Sequence, residues 1–300
     1  MPVMVPTWPE LGLPDTLAGD NVLAAAHLPI RQLGPAPLVE VWRSSLPVVR
    51  AGGFCWNGAV LFGMVSARGS HMEEMTERLY LEIRGAARTA GYPHLLRVWN
   101  YVGGINECER DLERYRRFCV GRHAALARLG YAHEQYPAAS AVGMRGEGVI
   151  VHFLASRAPG VQVENPRQVA AYDYPVEYGP RSPSFSRATV AQWEGGTLIF
   201  LAGTSSVVGH ETRHPGDVEA QLDETLRNLE KIVAVASSRA GRSATLDDMP
   251  VVKTYLRRPA DYELVRSRLT ARLPRARHLF LEADICRRDL LIEIEGVVRV

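Results

Sequence analysis

Along the chain, apolar and polar positions fall into a regular order only after a proline-rich, irregular stretch, residues 1–40, which reads as an extended arm. An apolar run at 58–63 then reads as a strand. Met75, Leu79 and Ile83, four apart, give one apolar face to a helix over about 73–90, and Gly91 and Pro93 end it. A strand-like run at 94–101, a second helix over about 107–129 stopped by Gly130, a segment at 138–143 and a strand-like run at 148–154 complete a first set. The second half repeats that order: a strand at 196–203, a helix over about 217–240, a strand at 251–256, a helix over about 260–273, and strand-like runs at 278–284 and 290–295. Val218, Leu222, Leu226, Leu229 and Val233 line one face of the long helix, and Asp217 stands where a carboxylate caps its first turn. One element order used twice predicts an α+β fold of two like modules, each a mixed sheet with its helices on one face. The division expected is an N-terminal arm over 1–40, a first module over 41–155 and a second over 156–300 that carries most of the site.

Composition narrows the class without naming a chemistry. The chain has 300 residues, 46% hydrophobic and 23% charged, enough for two ordinary cores. Thirty-five basic and 33 acidic residues leave a formal charge of +2, so no field argues for a nucleic acid or a membrane surface. The clusters Arg110/Arg114/Arg116/Arg117 and Arg287/Arg288 are interleaved with acids and read as solvated faces. No apolar run approaches the roughly 20 residues of a membrane span, and the N-terminus has no signal pattern. Cys55, Cys108, Cys119 and Cys286 are scattered with no CxxC pair, which suits free thiols in the cytoplasm.

Four constellations could carry chemistry. His210–His214 spells HExxH, but a zinc site needs that spacing on a helix, and Gly209 and Pro215 bracket it here; no metal is expected. Residues 165–187 hold three tyrosines, three arginines and four prolines in 23 residues. That is either a proline-stiffened surface loop or a rigid platform presenting guanidinium forks and phenols to an anion. Gly203–Gly209 is rich in Gly, Ser and Thr and offers donors after a strand. Glu293 and Glu295, two apart on a strand, share a face. By pattern alone they read as the wet side of an edge strand. The alternative is a carboxyl group in a cleft with a raised pKa, poised as a general acid.

These residues also carry a resemblance. LRVWNY at 96–101, NPRQVAAY at 165–172, YGPRSPSFSRA at 178–188, GTSSVVGHET at 203–212, ADICR at 283–287 and EIEG at 293–296 fall in the order seen in the chorismatases, from about residue 40 to the end. The second module is also similar to the RidA/YjgF family, whose members form trimers with ligand sites between modules. The resemblance implies two RidA-like modules in one chain, with chorismate held in a cleft dominated by the second. It implies Glu293 as the acid at the reacting enol ether. It implies Arg187, Tyr178 and Arg181 as holders of carboxylate, with Tyr101 also on the substrate. Gly203 and Cys286 form the pair that separates subtypes, and Gly with Cys implies the elimination of pyruvate to give 3-hydroxybenzoate, with 4-hydroxybenzoate as a further product of some relatives. Two other readings stay open: hydrolysis of chorismate to a dihydroxycyclohexadiene carboxylate, and a RidA-like module that binds small molecules or deaminates imines. Such a module is about half this length and lacks the 165–187 segment. The chemistry implied needs no redox cofactor or metal, and the partner implied is chorismate. The choice between monomer and homo-oligomer stays open.

Overall fold

The computed structural model describes residues 2–6, 22–26, 30–34, 38–193 and 195–300. The first sheet is built on β1 (Val60–Ala67), β2 (His94–Gly103), β3 (Ala138–Met144) and β4 (Val149–Ser156), with α1 (Met72–Thr89) and α2 (Arg114–Arg128) between them. The second is built on β5 (Gly196–Ser205), β6 (Val251–Leu256), β7 (Arg277–Glu282) and β8 (Ile292–Arg299), with α3 (Val218–Arg239) and α4 (Tyr262–Arg272). In the first sheet β4 lies between β1 and β2, antiparallel to both, and β3 runs parallel to β2. In the second, β8 lies between β5 and β6, antiparallel to both, and β7 runs parallel to β6. The orders β3-β2-β4-β1 and β7-β6-β8-β5 are therefore one topology used twice.

Each sheet buries one face under its own helices and the other against its neighbour. Leu79, Ile83, Phe118 and Leu126 cover Val98, Val151 and Phe153 on one side. Leu222, Leu229 and Leu269 cover Ile199, Val252, Ile292 and Ile294 on the other. Between the sheets lies a third apolar layer that includes Trp99, Phe200, Tyr255 and Val297. Trp42 sits inside it, its ring 5.5 Å from Trp193 and 6.0 Å from Phe200. Helix outside, two sheets inside and helix outside lets both faces of every central strand be dry.

Several details follow from local chemistry. Asp217 does cap α3, accepting from the Ala220 N–H at 3.0 Å. The second helix begins later than its polar spacing suggested. Residues 107–113 are all charged except Cys108 and Leu112, and they form a small ribbon, Cys108–Glu109 against Leu112–Glu113, turning at Arg110 with φ 60°. Of the arm, Pro2–Pro6 and Val22–Ala26 pair with Leu38–Arg43, and Arg31–Leu33 extends the second sheet beside β7; residues 7–21, 27–29 and 35–37 lie outside the described residues. Among the described residues no helix is long and apolar enough to cross a membrane.

Candidate active site

A cleft of about 380 Å³ opens where β3 of the first module faces β5 and β8 of the second. Its walls come from Ser140 on β3, Gly203 and Ser205 at the end of β5, Glu293 at the start of β8, and two loops, residues 165–187 and 283–291. Seventeen of its 24 lining residues follow position 160, so the second module supplies most of it.

Glu293 is buried, only 4% exposed. It does not stand on a wet edge: β8 is a central strand, and the face that carries Glu293 and Glu295 is turned toward the other sheet. The strand alternation was right and its assignment to solvent was not. Glu293 receives only a long hydrogen bond from Ser205 Oγ, 3.5 Å to Oε2, and its Oε1 has no partner. Burial, and then the charge of Glu295, push its carboxyl group up to about 8. Glu295 is held the other way. Burial would raise it, but Lys253 and Arg97 outweigh burial and hold it at about 2. It accepts from Arg97 Nη2 at 2.6 Å, Trp99 Nε1 at 2.8 Å and Tyr255 Oη at 3.1 Å, pairs with Lys253 at 2.6 Å, and also accepts from Ser140. Two carboxyls on one strand face are thus driven apart, one neutral and open to the cleft, one ionised and fully partnered behind it.

Gly203 explains how the open carboxyl fits. β5 pairs with β8 in register at Ser205 and Glu293, shifts between Leu201 and Thr204, and resumes at Leu201 with Gly296. Gly203 lies in that bulge, and a Cβ there would stand 1.9 Å from Glu293 Oε1. The missing side chain is the space the carboxyl occupies. The Gly/Ser/Thr segment is therefore strand as far as Ser205, not a donor loop.

The anion side of the cleft is built from guanidiniums short of partners. Arg187 is 5% exposed; its Nη2 donates to Tyr174 Oη at 2.7 Å and Val169 O at 3.3 Å, its Nε has no partner, and among the described residues no carboxylate lies within ion-pair distance. Arg287, read from sequence as part of a solvated face, instead stacks 4.2 Å from the Tyr178 ring centre and leaves a buried Nη2 unpartnered. The Tyr178 hydroxyl lies 3.3 Å from His210 Nδ1. The buried Glu164 carboxyl acts on Arg187 from beyond ion-pair distance, and unpartnered buried guanidinium donors of this kind suit an anionic ligand. Cys286 also lines the cleft, where burial, and then Glu293, push its thiol up to about 12, so it stays protonated.

Glu293, Cys286, Gly203, Arg187 and Tyr178 are therefore brought together in one cleft. Two of the expected site residues are not. Arg181 follows Pro180 in the turn after Gly179 (φ 145°) and is exposed outside the cleft walls. Tyr101 sits on β2 within the layer between the sheets, its ring 5.4 Å from His152, and belongs to the core around Lys253. Sequence reasoning missed Arg97, Ser140 and Lys253, which come from three distant stretches of chain, although the LRVWNY string contains Arg97. It also missed Arg287, although the ADICR string contains it. The HExxH segment is not helical: Glu211–Thr212 pairs with Val207–Val208, and His214 takes φ 55°.

Three comparisons bear on this architecture. A family profile described as chorismatase FkbO/Hyg5-like, N-terminal, matches residues 40–155. A chorismatase of Streptomyces hygroscopicus is 40% identical over 86% of this chain and 78% of its own length. A 3-hydroxybenzoate synthase of the same organism is 39% identical over 91% of this chain and 85% of its own. Among solved structures, a crystal structure of a chorismatase superposes with a TM-score of 0.86 at 34% identity, covering 99% of this chain and 98% of that one.

Proposed function

The chain belongs to the chorismatase family, and from that premise we propose that it cleaves chorismate to 3-hydroxybenzoate and pyruvate in the cytoplasm. The observation that carries this reading is the neutral Glu293 carboxyl, with Oε1 unpartnered, facing a cleft whose other wall holds Arg187 and Arg287. Chorismate brings two carboxylates and an enol ether. The guanidiniums hold the carboxylates, and Glu293 delivers its proton to the methylene carbon of the enolpyruvyl arm. That carbon becomes a methyl group and positive charge develops at the neighbouring ether carbon, where the ionised Glu293 now faces it. The neighbouring C4 hydroxyl oxygen then bonds ring C3 as the C3–O ether bond breaks; pyruvate leaves and the hydroxyl proton departs. The C3–C4 epoxide so formed opens at its C4–O bond, its oxygen is reprotonated, and the C3 proton leaves, so that the aromatic ring carries its hydroxyl at C3. The two products together contain the atoms of the substrate, so no oxidant, reductant or water is consumed.

The direct test is incubation with chorismate while pyruvate and aromatic products are followed by chromatography. Stoichiometric pyruvate with 3-hydroxybenzoate is the expected result; a non-aromatic diol in its place identifies the hydrolytic reaction, and no pyruvate at all overturns the proposal. Arg187→Ala should weaken chorismate binding by roughly 2–4 kcal/mol. It should appear mainly in KM, and unchanged KM and kcat would remove Arg187 from the carboxylate site. The double variant Gly203→Ala/Cys286→Ala should move product toward the diol. The new Cβ at position 203 cannot coexist with the present Glu293 carboxyl, 1.9 Å away, so the acid must turn within the cleft. An unchanged product ratio would place the subtype determinant elsewhere.

A further inference from the structure

The segment Ala283–Leu291 joins β7 to β8, has no helix or strand of its own, and yet brings Cys286 and Arg287 to the cleft. Two side chains outside the cleft hold it: Gln221 donates to Asp289 O and accepts from the Leu291 N–H, both at 2.8 Å, and Arg257 holds the stretch around Cys286. Arg257, the residue after β6, donates from Nε to Leu290 O at 2.8 Å, and from Nη2 to Ile285 O at 3.0 Å and Arg287 O at 2.9 Å. Its Nη1 donates to Asp284 Oδ1 at 2.5 Å and to Asn106 Oδ1 at 3.0 Å, the latter in the first module. A guanidinium has five N–H donors in a fixed fork, and here all five are engaged. The carbonyls of residues 285 and 287 are both anchored, so the backbone on either side of Cys286 is tied to the end of a sheet strand. Arg257 is absent from the cleft walls and lines a separate surface groove with Asn106, Glu107, Asp284 and Arg288.

We propose that Arg257 is a positioning residue: its saturated guanidinium sets where Cys286 and Arg287 stand in the cleft, and so governs turnover and product ratio without touching substrate. The part concerning product rests on the chorismate reading above; the part concerning loop placement does not. Lysine cannot replace it, because three donors on a point charge cannot span five acceptors.

The groove gives an added ion access to the place a deleted side chain leaves, which permits chemical rescue. In Arg257→Ala and Arg257→Lys, alkylation of Cys286 by iodoacetamide, read by peptide mass mapping with Cys55 and Cys108 as internal references, should change several-fold. Turnover of chorismate should fall roughly tenfold to a hundredfold, the scale of a small misplacement of reacting groups, and the product ratio should shift. Methylguanidinium at millimolar concentration should restore both readouts in Arg257→Ala, while sodium chloride at equal ionic strength should not. A Cys286 alkylation rate equal to wild type in both variants overturns the proposal, as does an Arg257→Lys enzyme with wild-type turnover and product ratio. If wild-type protein releases no pyruvate from chorismate, the functional reading fails, and the alkylation rates still decide whether Arg257 places the loop.

Discussion

Glu293→Gln should lose turnover by roughly 10²–10⁴-fold while KM for chorismate changes little. Glutamine keeps the shape of the side chain and its place in the bulge beside Gly203, but it has no proton to transfer to a carbon. The pH dependence follows from the same residue. An acid near 8 is about nine-tenths protonated at pH 7, whereas one at the ordinary 4.5 would be protonated well under one part in a hundred. Wild-type kcat should therefore be flat through neutrality and fall about tenfold per pH unit above pH 8, and the residual activity of Glu293→Gln should lack that limb. Near-normal turnover in Glu293→Gln, or an alkaline limb that survives in it, would remove the general-acid role.

Glu295→Ala should cost roughly 3–5 kcal/mol of stability, because among the described residues it takes away the one carboxylate ion-paired with the Arg97 guanidinium, in a dry layer. Lys253 is left with Glu40, 2.7 Å away, so the loss falls mainly on Arg97. The sign with pH is fixed by the depressed pKa. Glu295 contributes fully above its ordinary 4.5 and loses that contribution as pH falls toward about 2, so wild type and variant should converge in acid. Glu293 has the opposite sense: its raised pKa favours the fold most below 4.5, and that share is lost as pH rises through about 8. A milder variant, Glu295→Gln, should also move the alkaline limb of kcat downward, since the negative neighbour that helps keep Glu293 protonated is gone. Urea unfolding followed at several pH values, with the pH–rate profile of Glu295→Gln, checks both statements. A denaturation midpoint equal to wild type at pH 7 would show that the network adds nothing.

Much of this was legible before any coordinates. The period of the apolar positions gave both long helices and the strand 251–256 as found, because burial of one face forces that period. The doubling was visible because both modules meet the same packing demand. The alternation in β8 correctly put Glu293 and Glu295 on one face. It could not say what covers that face, because the covering sheet is some 200 positions distant: Arg97 and Glu295 are 198 residues apart. The same limit leaves Arg287 read as solvent-facing, where the structure stacks it on Tyr178 in the cleft. Arg181 shares a proline-rich loop with Arg187, and after the turn at Gly179 it is exposed while Arg187 is buried.

The repeated strand order has a consequence for symmetry. At the position in β4 that matches Glu293 in β8, opposite Tyr101 as Glu293 is opposite Tyr255, the first module has Ile150, and where Glu295 faces Lys253 it has His152 facing Trp99. Two identical subunits meeting in this way would have to repeat every substitution on both sides of the seam. Joining them in one polypeptide removes that obligation. One half could become a wall and the other could gather the acid, the bulge and the arginines, which suits a ligand whose two ends are not alike.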